Sequence, residues 1–294
     1  MKSKRDGGVM SEQGEERRVS LNGCVVAESE ARISPFDHGI TVGDGVFETM
    51  RTFGGKIFAW SRHFERLKRS ADVMGLSIHD SQTLLGWTQD LLAAHDFTES
   101  RVRVTITGGL GPASTLRGDG PTTTLITISP LGEVPAISQV ITVPWARNDR
   151  GALVGLKTTS YGENVRALRR AYEQNASEAL FPNTRGELCE GTGSNIFVVW
   201  EGQLCTPPLS SGCLPGITRS LVLELAEGLG IEVNQGPLPL QALARSDEAF
   251  LSSTIRCVQA IRSVDGQPLP QAPGPSTSKL AEAFEELVLR DLDP

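Results

Sequence analysis

The sequence predicts a mixed α+β and α/β fold built as two units. Three observations carry that expectation. Strand-like and helix-like segments form a compact set that ends near residue 130. A candidate linker, "LGEVPAISQ" at 131–139, follows. Beyond it, strands are interleaved with longer amphipathic helices, and 294 residues suffice for two cores. The expected division is a disordered leader over 1–18, a small α+β domain over 19–130, the linker over 131–139, and a larger domain over 140–294.

The leader, "MKSKRDGGVMSEQGEERR", is polar and charged and lacks the apolar stretch of a secretory signal. "RVSLNGCVVAES" reads as strand. "GVFETMRTFGGKIFAW" carries two glycines at 54–55 between apolar runs, a hairpin signal. In "SRHFERLKRSADVMGL", Phe64, Leu67, Ala71 and Met74 share one helical face. Ser61 is the expected cap of that helix and Gly75 its end. "DSQTLLGWTQDLLAAH" is a second amphipathic helix. "RVRVTIT" and "TTTLITIS" are strands joined by the glycine-rich loop 108–120.

The second unit opens with the strand "VITVPW". A helix is expected over "ENVRALRRAYEQNASEAL" and a hairpin over "SNIFVVWEGQLCTPP". The helix "ITRSLVLELAEGLG", the strand "EAFLSST" and the helix "STSKLAEAFEELVLRDL" complete it. "STSK" reads as a helix cap, and "DGQPLPQAPGPSTS" as a Pro-rich surface segment.

Composition narrows the function. The hydrophobic fraction is 39% and the charged fraction 21%, those of an ordinary soluble protein. A net charge of −7 argues against nucleic acid or anionic membranes as partners. No apolar run is long enough to span a bilayer. The cysteines, 5 in number and scattered, suggest reduced thiols and a cytoplasmic location. The histidines, 4 in number, lack metal-ligand spacing, so no metal site is expected.

Candidate chemistry lies in a few places. Lys157, in "GLKTTSYGEN", follows an apolar stretch, and it reads either as a surface lysine or as a nucleophile in a pocket. In "LPGITRS", Gly216 precedes a helix whose first amides, on Ile217 and Thr218, suit an anion together with the Thr218 hydroxyl. A plain glycine turn is the other reading. "FLSSTI" clusters Ser252, Ser253 and Thr254 at a strand end, for a phosphate or for a turn. Arg62 at a predicted helix start is disfavoured by the helix dipole unless an anion is near. Glu190 precedes "GTGSN", where small residues let a flat ligand approach the backbone.

In order, "DHGITVGDGVFETMRTFGGKIFAWSRHFERL", "LKTTSYGENVRAL", "EALFPNTRGELCEGTGSNIFVV", "TPPLSSGCLPGITR" and "DEAFLSST" resemble the class-IV pyridoxal-phosphate aminotransferases. That family includes D-amino-acid and branched-chain aminotransferases and aminodeoxychorismate lyases. The resemblance runs from about residue 20 to 265. It implies a two-domain fold type IV, like the D-amino-acid aminotransferases, with pyridoxal 5′-phosphate between the domains and a homodimer that completes the site. Lys157 resembles the lysine that bonds the cofactor aldehyde and then moves the substrate Cα proton. Glu190 resembles the carboxylate facing the pyridine nitrogen. Arg62, Ile217, Thr218, Ser253 and Thr254 match the phosphate cup. Leu214 matches a residue packed on the ring, and Asn195 belongs to the same motif.

The resemblance implies amino transfer between an amino acid or amine and a 2-oxo acid. The alternative is a lyase giving 4-aminobenzoate and pyruvate, or a non-catalytic relative. Ala113 and Thr115 stand where D-amino-acid enzymes carry Arg and His, and the branched-chain "GNY" is absent after Lys157. Tyr161 is open to two readings, a contact with the cofactor phenolate oxygen or packing. A substrate carboxylate calls for an arginine fork. Arg117 is the first candidate, with Arg51 and Arg256 as alternatives. Phe47 aligns with a pocket-lining position and shares strand parity with Arg51.

Overall fold

The computed structural model describes residues 16–294. The expected leader therefore lies outside the described residues, apart from its last three positions, and Arg18 already opens the first strand.

The first unit contains β1 (Arg18–Leu21), β2 (Cys24–Ala27), the single turn α1 (His38–Thr41), β3 (Gly45–Phe53), β4 (Lys56–Ile57), α2 (Trp60–Met74), α3 (Ser81–Ala93), β5 (Ser100–Thr107) and β6 (Thr123–Pro130). Its strands form one sheet in the order β2-β1-β6-β5-β3-β4. The expected hairpin joins β3 to β4. Gly54 and Gly55 turn it at φ 55° and 77°, where a side chain would be strained.

Alternation along β3 and β5 divides the sheet into two faces. Met50, Val102, Val104 and Ile106 bury against Leu67, Ala71, Leu84 and Leu91 of α2 and α3. On the opposite face Phe47, Thr49, Arg101 and Arg103 look into a large cavity. Phe64 and Met74 pack on the same core as Leu67 and Ala71, as the periodicity predicts.

Ser61 does not cap α2 locally. The helix begins one residue earlier, after Ala59 in the left-handed region at φ 55°. The Ser61 amide and hydroxyl instead donate to the Asp293 carboxylate at 2.8 and 2.5 Å. The cap comes from the far end of the chain. Gly75 does end the helix, at φ 64°.

The second unit contains β7 (Ile137–Thr142), α4 (Gly162–Glu173), β8 (Glu178–Pro182), β9 (Leu188–Gly191), β10 (Asn195–Trp200), β11 (Gln203–Cys205), α5 (Ile217–Gly228), β12 (Val233–Asn234), α6 (Gln241–Ala244), β13 (Glu248–Ser253), β14 (Cys257–Val264), β15 (Gln267–Pro268) and α7 (Pro275–Arg290). Its strands run in the order β12-β11-β10-β13-β14-β7-β8-β9, with β15 paired to β14. β7 starts inside the last three residues of the expected linker.

The helix expected over 163–180 ends at Glu173. Asn175 turns left-handed at φ 58°, and the chain re-enters as β8 between β7 and β9. The run "EALFP" is fully buried in that sheet, so tertiary pairing overrides local helix preference.

The helix α7 also receives its cap from afar. Its N-cap is Gly274, and no side chain of its own caps it. The buried Glu248 carboxylate of β13 accepts the Ser276 and Thr277 amides, each at 2.9 Å, and the Thr277 hydroxyl at 2.7 Å.

The units meet in two places. Phe58 and Ala59 join Leu221, Phe284, Leu287 and Val288 in one apolar cluster. The Phe47 amide donates to the Lys157 carbonyl at 2.9 Å, and Val46 bridges Thr158. Among the described residues no helix is long and apolar enough to cross a membrane.

Candidate active site

A cavity of about 1250 Å³ opens between the two units. Lys157 lies on its wall, on the segment that bridges β3. The Lys157 Nζ is 3.1 Å from the Tyr161 hydroxyl and 4.5 Å from the centroid of the Phe47 ring. Phe47 meets Tyr161 edge-on at 5.0 Å. The lysine is thus held by an aromatic corner and one hydroxyl.

Glu190 lines the same cavity from β9. Its Oε2 accepts the Leu214 amide at 2.8 Å, and its Oε1 is 3.0 Å from Arg147 Nε. Burial pushes the Glu190 carboxyl above the usual range, against the opposing pull of Arg147, the Leu214 amide and Lys157. A buried carboxylate in this state gains from a further cationic neighbour. Asn195 Nδ2 donates to the Leu214 carbonyl at 2.9 Å, which fixes the segment that carries both.

The start of α5 faces the cavity. Gly216 is its N-cap and no side chain caps it. A methyl group on Gly216 would collide with Asn195 Oδ1. Ile217, Thr218, Ser252, Ser253 and Thr254 line this end. Ser252 Oγ is buried without a hydrogen-bond partner among the described residues, as is Arg147 Nη2, while Arg147 Nε has its ion-pair contact with Glu190. An unpartnered hydroxyl at the same end as an uncapped helix start matches a ligand with several acceptor oxygens.

The arginines separate sharply. Arg62 does not reach the cavity. Its guanidinium pairs with Glu224 at 2.6 and 2.9 Å, and its Nε donates to the Pro294 carbonyl at 2.6 Å. Arg66, one helical turn further, does line the cavity, and it is 4% exposed. Its Nη1 donates to the Pro215 carbonyl at 3.0 Å, next to the α5 start. The two arginines share a helical face, and the sheet behind them selects the inner one.

Arg117 is also drawn away. It binds Asp44 at 2.7 and 2.8 Å and closes the end of α2 through the Met74 and Gly75 carbonyls. Arg51 is held by Glu99 and by the Ile255 carbonyl, and lies over the Phe53 ring. Arg256 lines the cavity, with its guanidinium bound to Gln259 and to the Ser177 carbonyl.

Arg103 was not among the expected residues. It lies over the Phe47 ring at 3.6 Å and donates to Thr105 Oγ1, and it has no carboxylate partner among the described residues. Burial lowers its affinity for a proton relative to a free arginine. Strand parity carried the signal, since Arg103 pairs with Thr49 on the Phe47 face. Arg147 was also missed, and no motif marks it.

The residues present fit pyridoxal phosphate. An amine, a largely enclosed carboxylate and an uncapped helix start occupy different parts of one cavity wall. The profile of the amino-transferase class IV family matches residues 45–264. A Methanocaldococcus jannaschii protein, provisionally named a branched-chain-amino-acid aminotransferase, is 33% identical over 277 residues, covering 92% of this chain and 96% of that one. A D-alanine aminotransferase of Staphylococcus aureus is 29% identical, covering 92% and 98%. Among solved structures, the Escherichia coli branched-chain amino acid aminotransferase superposes with a TM-score of 0.87 at 27% identity, covering 93% and 95%. The Thermobaculum terrenum branched-chain enzyme in its PLP-form superposes at 0.84 with 28% identity, covering 94% and 95%.

Proposed function

This chain belongs to the class-IV aminotransferase family, and from that premise we propose which residues hold pyridoxal phosphate and which handle the substrate. The enzyme transfers an amino group between an amino acid or amine and a 2-oxo acid. One observation carries the reading: Lys157, Glu190 and the open start of α5 come from separate parts of the sequence and face one cavity.

Pyridoxal phosphate, when bound, supplies an aldehyde carbon and a ring that accepts electrons from the substrate Cα. Lys157 Nζ is the amine that would hold the cofactor, and it is placed to move a proton at the substrate Cα. Tyr161 orients that amine through its hydroxyl. Glu190 would face the ring nitrogen and favour its protonated form, and Arg147 and the Leu214 amide keep its carboxylate in place. Ile217, Thr218, Ser253 and Thr254, with Arg66 in the role expected of Arg62, hold the phosphate. Leu214 would pack beside the ring, and Asn195 fixes the Leu214 carbonyl.

For the substrate carboxylate we assign Arg103. Arg103 lies over the Phe47 ring on the cavity wall and, like the more exposed Arg101 beside it, has no carboxylate partner among the described residues, whereas Arg117 and Arg51 are bound elsewhere. Arg256 and Phe47 complete the wall. Exposed Phe36, Ile40 and Leu110 around the α1 turn support a second copy covering this face. The cysteines are all free, which supports the cytoplasm as location.

Borohydride reduction of the protein with pyridoxal phosphate tests the assignment. The label is expected on Lys157, and the Lys157→Ala protein is expected to take none. Label on another lysine in both proteins removes the reading. A substrate panel then sets the reaction. L- and D-amino acids are expected to give 2-oxo acids only when an acceptor is present. Pyruvate from aminodeoxychorismate without an acceptor would transfer the enzyme to the lyase reading.

A further inference from the structure

Arg66 does not stand alone. Behind it, on the helix-facing side of β3, lies a buried carboxylate. Glu48 and His63 are each 1% exposed. Glu48 Oε1 accepts from Arg66 Nε at 2.7 Å, and Oε2 accepts from Arg66 Nη2 at 2.7 Å. Oε2 also meets His63 Nδ1 at 2.7 Å. His63 Nε2 faces Thr254 Oγ1 at 3.5 Å. One carboxylate therefore reaches two members of the cup, the arginine directly and the threonine through an imidazole.

A buried ion pair adds little to stability compared with apolar residues of equal volume. This one lies where the core of the first unit could have been apolar. Its effect is geometric. The paired edge of the Arg66 guanidinium is locked on Glu48, and Nη1 is drawn to the Pro215 carbonyl. The planar fork then points its remaining N–H groups in fixed directions.

Burial would raise the Glu48 carboxyl, but Arg66 and His63 more than reverse this and hold it well below the usual range. An ionised carboxylate can only accept, so Nδ1 of His63 carries the proton toward it. Nε2 is thereby directed at the Thr254 hydroxyl.

We propose that Glu48 and His63 are positioning residues for the phosphate end of the site, setting the donor directions of Arg66 and the Thr254 hydroxyl. This rests on the reading of the cavity as a pyridoxal phosphate site. The two residues touch no reacting atom. Their effect is on discrimination between a ligand with a phosphate and the same ligand without one.

The experiment compares pyridoxal phosphate with pyridoxal. Each is titrated into the apoprotein, and its covalent attachment to Lys157 is read by absorbance and borohydride trapping. Glu48→Gln is expected to weaken pyridoxal phosphate by about tenfold or more, as loss of an outer partner does at metal sites. Pyridoxal should change by less than about twofold, since its bond to Lys157 is untouched. His63→Gln should act in the same direction and more weakly. In an Arg66→Ala background, Glu48→Gln should add little, because its target is gone.

Equal loss for both ligands would make Glu48 a fold residue only and overturn the proposal. So would no loss for either. A second variant, Glu48→Asp, guards against misfolding: it keeps the charge, shortens the reach, and should lower the ratio of the two affinities. An unchanged ratio there would also overturn the proposal. If the unaltered protein traps neither ligand on Lys157, the site reading itself fails and takes this inference with it.

Discussion

Two helices in the second unit begin alike and end up in opposite situations. Both α5 and α7 start after a glycine N-cap without a side-chain cap of their own. Both glycines are pressed by a neighbouring side chain, Asn195 at Gly216 and Glu248 at Gly274, so that neither tolerates a methyl group. At α7 the neighbour is a carboxylate that accepts two amides and a hydroxyl. At α5 the neighbour is an amide group turned to the Leu214 carbonyl, and the first turn is left open to the cavity. Where the fold supplies its own anion, a helix start is structural. Where it withholds one, the first amides are left free for an anion from outside the chain.

That contrast can be broken by giving α5 what α7 has. Thr218→Asp places a carboxylate in the first turn. Like charges about 4 Å apart repel by about 4 kcal/mol at an effective dielectric of 20. Pyridoxal phosphate affinity should fall on the order of 1000-fold by titration, while thermal stability holds or rises. Retained affinity would show that the cofactor's phosphate lies elsewhere.

The converse change takes from α7 what it has. Glu248→Ala leaves the partly buried amide of Ser276 and the buried amide of Thr277 without an acceptor. Stability should drop by about 2–3 kcal/mol in urea unfolding, and cofactor affinity of the folded protein should stay within about twofold, because no contact to the cavity is lost. A selective loss of cofactor affinity would mean that the two helix starts are not independent.

The smallest effect is expected at α2, whose cap is on the surface. Asp293→Ala should cost about 1 kcal/mol, the usual size for an N-cap. A drop as large as that for Glu248→Ala would place the C-terminal residues inside the cooperative core of the first unit.

Much of this was legible in the sequence. Lys157, Glu190 and the "PGIT" turn stood out because their residue types are unusual for their local setting, and the fold brings them to one cavity. The paired strands and the amphipathic helices followed from periodicity. Arg62 and Arg66 could not be told apart in that way, because residues four apart share a helical face. The choice was made by Glu48 on another element, which burial and pairing in three dimensions bring to Arg66. The run 178–180 failed for a related reason, since its alanine and leucine suit a helix but its place is between two strands. Arg117 looked free in a glycine-rich loop, and Asp44, distant in sequence, had already claimed it.

The three guanidiniums on and against α2 leave one practical result. Arg62 fastens the start of the helix, Arg66 its middle, and Arg117 its last carbonyls. Lys68 and Arg69 ride on its exposed side. A spin label at either position would therefore be anchored to a rod pinned along its length, giving spectroscopy a fixed fiducial from which to measure distances to the rest of the molecule.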